Sequence, residues 1–366
     1  MVLIAEVQPI FKRSLIVNCQ LSIVNYKLTK RVFHFRRPAG TSRGVYLTRT
    51  SWFVTLRSQT DGRVGVGECA PLPDLSCDAL PDEEYERVLT AMCERCCASG
   101  EIPYDTLRPY PSMLFGLETA FADLYGLPPF DGATAFSRGE VGIPINGLVW
   151  MGTFEEMYGR IEEKLEAGFH CVKLKIGAID WAQERELIRF VRQHFKREEI
   201  ELRLDANGGF GVDVAMNRLE ELANYDIHSI EQPIATKQWE VLRALCDAGL
   251  VPIALDEELI GVNDVAEKER LLDAIHPQYI ILKPSLHGGM RGCREWIELA
   301  RERGIGSWMT SALESNVGLR SIGLFAAQVY GDHPELCQGL GTGQLFTDNI
   351  PMNLQIRGER LYYKGL

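Results

Sequence analysis

Five short stretches of one segment decide the fold: KLKIG (Lys173–Gly177), LDANGGF (Leu204–Phe210), IEQP (Ile230–Pro233), LDEE (Leu255–Glu258) and LKPS (Leu282–Ser285). Each contains a short apolar run beside a charged residue, and helical-looking segments separate them. This pattern is typical of buried parallel strands joined by crossover helices. Reactive groups in such a sheet lie at the carboxyl ends of the strands. We therefore expect the charged ends to meet at one edge.

The pattern continues on both sides of this segment. The candidate strands, in chain order, are GIPINGLVW, HCVKLKIG, IELRLDAN, IHSIEQP, VPIALDE, YIILKPS, GSWMTSA and ELCQGLG. Eight strands about one βα unit apart predict an α/β fold, a (β/α) barrel of the TIM type over residues 141–350. The alternative is an open doubly wound sheet, which should carry a Gly-rich phosphate loop in its first βα turn. The stretch IGAID after Lys175 is not such a loop.

The first third of the chain predicts an α+β capping domain over residues 1–130. Apolar and polar residues alternate between 18 and 70, with turn residues between the alternating runs, which predicts an antiparallel meander. Two helices are predicted, over 82–98 and over 111–126, from their apolar spacing and their terminal residues. The last segment, 352–366, alternates like a strand and is expected to return to the cap.

Composition excludes several classes of partner. The 366 residues are 46% hydrophobic and 24% charged, as in ordinary globular proteins, and the formal net charge of -11 argues against nucleic acid and anionic membranes. No run approaches the roughly 18 apolar residues of a membrane-spanning helix. The first 17 residues, expected to be an extension ahead of the first strand, lack the features of a signal peptide. Ten scattered cysteines indicate a reducing compartment, so we expect the cytoplasm.

Carboxylates end three consecutive predicted strands, at Asp205, Glu231 and Asp256. They would converge within a few ångströms, where like charges raise one another's pKa unless a cation lies among them. Hard oxygen ligands without Cys or His favour Mg²⁺ over zinc, with Mn²⁺ as an alternative. The sequence therefore predicts a divalent metal site at the mouth of the barrel.

Lysines flank this predicted site. Residues i and i+2 of a strand share a face, so Lys173 and Lys175 point the same way, and Lys283 approaches from the opposite side. An ammonium near Mg²⁺ and a second ammonium has a lowered pKa and becomes available as a base near neutral pH. An amine base beside a divalent cation suits removal of a proton α to a carboxylate. A single charged strand end is usually a solvated terminus, but five in this order are hard to obtain by chance.

At these residues the chain resembles the enolase superfamily and, more narrowly, its muconate lactonising subgroup, with KxK on strand two and a second Lys on strand six. The resemblance covers nearly the whole chain. The stretch at 67–76 is similar to the cap loop that closes over substrate in the subgroup, the one at 111–124 to the helix that leads into the barrel, and the one at 310–318 to the seventh-strand loop.

The resemblance implies a role for each member of the set. Lys175 would be the general acid/base and Lys283 its partner across the site, while Asp205, Glu231 and Asp256 would bind Mg²⁺. It also implies residues that contact the substrate or support the ligands. These are Lys173, Asn207, Arg203, Glu257, Ser311, Arg49 and Leu72.

Two of these assignments have alternatives. The stretch LDEEL departs at Glu258 from the more frequent LDESL of the subgroup, so entry of Glu257 into the ligand set would shift the assignments by one. Arg49 belongs to a basic and aromatic cap segment, 31–49, that could meet a dicarboxylate. It could equally be a solvated hairpin residue.

Within the subgroup, two features favour a syn dehydration of a cyclohexadiene carboxylate in menaquinone biosynthesis. The eighth-strand region, 339–351, lacks the Asp-x-Asp with which dipeptide epimerases hold a substrate ammonium, and segment 31–49 is basic. Lys175 would remove the α-proton and return it to the departing hydroxyl. The alternatives are racemases or epimerases of N-acyl amino acids or dipeptides, muconate-type cycloisomerases, and a silent scaffold barrel. A small-molecule carboxylate is the expected partner, and a homo-oligomer is compatible with the sequence.

Overall fold

The computed structural model describes residues 24–41 and 44–364, which form thirteen strands and ten α-helices. The strands are β1 (Val24–Thr41), β2 (Gly44–Ser58), β3 (Val64–Cys69), β4 (Gly142–Pro144), β5 (Gly147–Val149), β6 (Cys171–Lys175), β7 (Glu201–Asp205), β8 (Ser229–Glu231), β9 (Ile253–Leu255), β10 (Tyr279–Leu282), β11 (Gly306–Met309), β12 (Leu354–Arg357) and β13 (Arg360–Tyr363). The predicted extension over the first 17 residues lies outside the described part of the chain.

The helices alternate with the barrel strands after the first three. They are α1 (Asp82–Ser99), α2 (Tyr104–Leu107), α3 (Pro111–Tyr125), α4 (Phe154–Glu166), α5 (Trp181–His194), α6 (Val212–Leu222), α7 (Trp239–Ala248), α8 (Val265–Ile275), α9 (Gly289–Glu302) and α10 (Asn316–Tyr330). Local sequence sets several of these boundaries. Thr153 and Glu156 form a reciprocal capping box at the start of α4, and Gly126 ends α3 in the left-handed conformation.

The cap is an antiparallel sheet of order β1-β2-β3 covered by α3. Its strands confirm the meander predicted from the alternation, within the described residues. Helix α3 lies very close to β3: a Cβ added to Gly67 would lie 1.8 Å from the carbonyl oxygen of Gly116. Both glycines are therefore needed for this packing.

The barrel is a curved parallel sheet of order β11-β10-β9-β8-β7-β6-β5. Along β6, Val172 and Leu174 belong to the apolar core between sheet and helices, whereas Lys173 and Lys175 line a cavity inside the barrel. Because side chains alternate along a strand, its apolar residues face the helices and its lysines face the cavity.

The eighth predicted strand, ELCQGLG over 335–341, is not a regular strand, and this part of the prediction is wrong. It contributes two isolated parallel bridges, Ile145 with Gln338 and Thr310 with Gly339. These bridges join the region before β5 to the end of β11, so the segment still closes the ring. Gly339 suits this role, because a Cβ there would lie 2.1 Å from Thr310 Oγ1.

The C-terminal strands do not pair with the cap sheet, which corrects the expectation for 352–366. β12 and β13 form a hairpin, and β13 pairs with β4 at residues 142–144. The chain touches the cap just before this hairpin, where Phe346 forms a bridge with Phe35. No helix in the described ranges is both long and apolar enough to cross a bilayer.

Candidate active site

The parallel register brings the charged strand ends side by side. Lys175 pairs with Asp205 between β6 and β7, and Asp205 pairs with Glu231 between β7 and β8. Asp256 follows β9 directly, and Lys283 follows β10. The three carboxylates are buried. The five residues predicted from the strand ends therefore lie around one end of the barrel.

Lys173 connects two of the carboxylates. Its Nζ lies 2.9 Å from Asp205 Oδ2 and donates a hydrogen bond to Glu231 Oε2. Burial opposes the charge on Lys173, but the adjacent carboxylates outweigh burial and raise its pKa. The same ammonium, together with Lys175, holds the pKa of Asp205 below its usual range against the effect of burial. Lys173 is therefore held as a cation.

Lys175 has a different environment. Its Nζ donates to Asp205 Oδ2 at 2.9 Å and to the neutral amide oxygen of Asn207 at 2.7 Å, and it lies 5.9 Å from the ring centroid of Trp150. Asn207 in turn donates to Glu257 Oε1 at 3.0 Å. This chain fixes the direction of the Lys175 amine at the cavity.

Lys283 contacts Asp256 Oδ2 from the other side of the barrel, since β10 and β6 are separated by three strands in the sheet. Burial lowers the pKa of Lys283, but Asp256 and the other nearby carboxylates outweigh this effect, so the pKa is raised overall. The lowered pKa that the sequence predicts applies to an amine beside Mg²⁺, so it stays a prediction for the metal-bound site.

The donor set fits a hard divalent cation. Glu231 Oε1 and Asp256 Oδ1 are buried oxygens without a hydrogen-bond partner among the described residues. A buried acceptor without a donor is unfavourable by about 1–3 kcal/mol, and carboxylate oxygen is the ligand that Mg²⁺ prefers. Burial and the charge of Asp205 also raise the pKa of Glu231, which a cation would reverse.

The carboxylates are not gathered as a finished metal site. Within 24–41 and 44–364, no group of three His, Cys, Asp or Glu side chains is arranged to hold a metal ion. The ammonium of Lys173 lies against Asp205 and Glu231, and that of Lys283 lies against Asp256. The predicted Mg²⁺ site agrees with the chemistry of the donors and stays a prediction.

A cavity of about 330 Å³ opens above these groups, a size suited to a small organic ligand. It brings together eight of the residues predicted from the sequence. They are Lys173, Lys175, Lys283, Asp205, Asn207, Glu257, Ser311 and Leu72. Glu231 and Asp256 do not line the cavity themselves, but each is contacted by a lysine that does.

Two predicted residues lie elsewhere. Arg49 does not line the cavity; its buried guanidinium donates to backbone carbonyls of the cap and of the barrel. Arg203 lies deeper in the barrel, stacked 4.2 Å over Trp308 and donating to Glu201 and to the carbonyl of Cys337. The predicted roles of Arg49 in substrate contact and of Arg203 beside the ligands are therefore corrected.

The contacts of the consecutive acids Asp256, Glu257 and Glu258 bear on which of them is the third predicted metal ligand. Asp256 pairs with Lys283, Glu257 faces the cavity through Asn207, and Glu258 turns away to accept from Trp239 Nε1 at 2.8 Å. These contacts exclude Glu258, and Asp256 stays the predicted third ligand.

Three supporting residues were missed by the sequence analysis. Gln232 is fully buried, and its side-chain oxygen accepts the backbone N–H groups of Asp256 and Glu258. His287 accepts the Lys283 N–H at 2.9 Å, and Trp150 lines the cavity. Gln232 and Trp150 each stand at the end of a predicted strand, which could have marked them. His287 carried no such signal.

The chain matches two family descriptions: "Enolase C-terminal domain-like" over 156–357 and "MenC, N-terminal domain" over 42–124. An o-succinylbenzoate synthase of Desulfotalea psychrophila is 44% identical over 356 residues, which cover 88% of this chain and 95% of that protein. The crystal structure of MenC from the same organism has a TM-score of 0.77 and 39% identity, and covers 93% of this chain and 100% of the other.

A more distant structure shares the fold alone. The dipeptide epimerase of Methylococcus capsulatus, solved with Mg and the dipeptide L-Arg-D-Lys, has a TM-score of 0.75 at 20% identity. It covers 93% of this chain and 97% of its own.

Proposed function

The chain belongs to the o-succinylbenzoate synthase family of the enolase superfamily, and on this premise we propose that it dehydrates a hydroxycyclohexadiene dicarboxylate to o-succinylbenzoate. This is the menaquinone-pathway reaction predicted from the sequence. The observation that carries the proposal is the placement of Lys175, which faces the cavity between one carboxylate and one neutral amide.

Lys175 would act in both proton transfers. As an amine it takes the proton on the carbon α to the ring carboxylate, and as an ammonium it gives that proton to the hydroxyl group that leaves as water. The loss of one C–H bond and one C–O bond adds a double bond to the ring, which becomes aromatic. Lys173 is unsuited to this role, because two carboxylates raise its pKa.

Lys283 would remain an ammonium during the reaction. Its pKa is raised beside Asp256, and its side chain reaches the cavity from the strand opposite Lys175. A fixed positive charge there stabilises the negative charge that develops when the α-proton leaves. His287 Nδ1 accepts the backbone N–H of Lys283 and helps to hold the loop that follows β10.

Asp205, Glu231 and Asp256 would hold a Mg²⁺ ion. When bound, the ion would supply Lewis-acid stabilisation of negative charge on the substrate carboxylate. The residues that fit it are buried acceptors, and Glu231 and Asp256 each have one oxygen without a donor among the described residues.

The cavity suits a substrate with two negative charges. Its lining includes Arg36, Arg37, Arg160 and Lys164, in addition to the lysines at the strand ends. The lining residues between 339 and 345 include no acid. A dicarboxylate therefore finds cations along the wall, whereas a substrate ammonium finds no carboxylate in the eighth-strand region.

An epimerase is the second candidate, because Lys175 and Lys283 both line the cavity and lie on opposite sides of the barrel. Paired bases in that arrangement could exchange a proton on either face of an α-carbon. The two functions differ in the step after proton removal: a C–O bond breaks in the dehydration, whereas a C–H bond forms again in the epimerisation.

The test uses the purified chain with Mg²⁺ and the hydroxycyclohexadiene dicarboxylate. We expect loss of the diene absorbance and formation of an aromatic product. A parallel incubation with dipeptides and N-acyl amino acids in D₂O should give little exchange of the α-proton. Exchange in the second experiment without an aromatic product in the first would replace the dehydratase by the epimerase.

A further inference from the structure

Two neighbouring loops form adjacent walls of the cavity. The cap loop after β3 contributes Leu72 and Leu75, and the loop after β11 contributes Ser311, Ala312 and Leu313. One wall belongs to the cap and the other to the barrel, so their relative position depends on how the two parts are held together.

Arg49, on strand β2, joins the two walls through backbone carbonyls. Its guanidinium donates to Ala70 O at 2.6 Å and to Pro71 O on the cap side. It also donates to Ala312 O and Leu313 O, each at 3.4 Å, on the barrel side. Two of these four carbonyls belong to residues that line the cavity, and the other two directly precede Leu72.

The buried position of Arg49 is unfavourable for its positive charge. The residue is 2% exposed, and burial lowers its pKa despite the charges of Glu314 and Glu68. Both carboxylates are engaged by other donors: Glu314 accepts from Ser285 Oγ, and Glu68 accepts from Ser51 Oγ. The guanidinium is thus held chiefly by carbonyls, and its planar fork of donors matches several acceptors at once.

The barrel-side wall carries backbone strain at the same place. Leu313 has a φ of 65°, in the left-handed region that a leucine rarely adopts. Arg49 Nε bonds to the carbonyl of that residue. The surrounding contacts must hold this conformation, and Arg49 supplies one of them.

We propose that Arg49 is a positioning residue that sets the relative position of the two adjacent cavity walls, and thereby the fit of the substrate against them. The inference rests on the proposed dehydration, since it assigns the walls to that substrate. It replaces direct substrate contact by Arg49 with an effect exerted through Leu72 and Leu313.

The test compares Arg49→Met and Arg49→Lys with the wild-type enzyme. Methionine keeps much of the side-chain length without donors, so KM is expected to rise about tenfold, equivalent to about 1.4 kcal/mol, with a smaller change in kcat. Lysine keeps the charge but cannot bridge four carbonyls, so an intermediate KM is expected. In Arg49→Ala, added guanidinium ion should restore part of the lost affinity.

Arg108→Met is the matched control. Arg108 also links the N-terminal region to the barrel, donating to Asn263 O at 2.6 Å and to Glu295, and it does not line the cavity. Its loss should lower the melting temperature and leave KM unchanged. An unchanged KM in Arg49→Met, with a similar loss of stability, would overturn the proposal.

The proposed function and this inference fail in different ways. An inactive wild-type chain would reject the dehydration and leave the wall positions testable by binding. In that case the dissociation constant of o-succinylbenzoate, followed by tryptophan fluorescence, should be larger for Arg49→Lys than for wild type. Equal dissociation constants would reject the role of Arg49.

Discussion

At the scale of single residues, partners rather than sequence positions distinguish the site lysines. Lys173 contacts two carboxylates, whereas Lys175 divides its contacts between Asp205 and the neutral Asn207. Nearby negative charge stabilises an ammonium and makes it a weaker proton donor. Lys175 is therefore the better candidate for a group that must lose and regain a proton.

We expect Lys175→Met to lower kcat for the dehydration by about 10³-fold, because general acid–base catalysis contributes about 10²–10⁴-fold and both proton transfers of the proposed reaction use this amine. The rate is followed as loss of diene absorbance at saturating substrate. Lys27→Met, at an exposed position of β1, is the control and should keep wild-type activity. Substantial turnover by Lys175→Met would remove it from this role.

Lys173→Met should test the predicted cation site through its effect on the melting temperature. In EDTA its melting temperature should fall, because Asp205 and Glu231 lose a buried partner and breaking a buried pair costs about 3–5 kcal/mol. Added Mg²⁺ should raise the melting temperature of this variant more than that of wild type, since the ammonium no longer competes for the carboxylates.

Lys268→Met separates this effect from the loss of any buried lysine. Lys268 pairs with Glu295 at 2.7 Å, and neither residue lines the cavity. This control should lose stability without gaining a response to Mg²⁺. Equal Mg²⁺ shifts in wild type and Lys173→Met would argue against Asp205 and Glu231 as ligands.

At the scale of elements, α3 is connected to the barrel through the N-terminus of α9. Glu118 on α3 accepts the N–H of Met290 at 2.5 Å and that of Arg291 at 3.1 Å, in the first turn of α9. These N–H groups have no partner within their own helix. Burial raises the pKa of Glu118 to about 8, so the contact between the two helices is titratable near neutral pH.

Glu118→Gln should weaken the pH dependence of stability. The pKa of Glu118 is about 8 in the fold and about 4.5 otherwise, so between these values the folded state holds the proton more tightly. The stabilisation is present at the acidic end and lost as pH rises through this window. Glutamine offers an acceptor without titrating, so the free energy of unfolding of the variant should fall less from pH 5 to 8.

Urea denaturation at pH 5, 6, 7 and 8 measures this difference. One pKa unit corresponds to about 1.4 kcal/mol, so the two proteins should diverge by a few kcal/mol at most. Glu267→Gln, at an exposed position of α8, should follow the wild-type curve. Parallel curves for wild type and Glu118→Gln would contradict the buried, titrating state of Glu118.

At the scale of the whole molecule, the charge is unevenly distributed. The chain has a formal net charge of -11, yet the cavity lining includes the exposed Arg36 and Arg37 as well as Arg160 and Lys164. The ion pair of Arg37 with Glu163, at 3.8 Å, is exposed and contributes little stability. Cations beside a cavity in an acidic protein favour the approach of an anionic substrate.

The double variant Arg36→Gln with Arg37→Gln should therefore lower kcat/KM, by about tenfold at low salt, with kcat nearly unchanged. The dependence of kcat/KM on KCl concentration should also be weaker than in wild type, because salt screens the attraction that the variant lacks. Arg87→Gln, an exposed residue of α1, is the control. An unaltered salt dependence in the double variant would exclude steering by these arginines.

The sequence alone predicted the barrel and the residues that lie together at the carboxyl ends of its strands. Strand period fixes which residues share a face, and parallel strands place their carboxyl ends together, so Lys175, Asp205 and Lys283 could be assigned to one site from spacing. The same rules predicted the cap sheet and the boundaries of α3. These features depend on local periodicity, which a single chain displays directly.

Only the tertiary structure decided which long side chains meet. Arg49 and Leu313 are far apart in sequence, and their hydrogen bond depends on the packing of the cap against the barrel. Arg203 and Cys337 are also far apart in sequence, and their hydrogen bond depends on how residues 335–341 pack against the barrel strands. The eighth barrel segment reduces to bridges, and 352–366 pairs with β4, because non-local backbone partners determine strand pairing. Spacing along the chain specifies a face, whereas contact across the fold requires the coordinates of both partners.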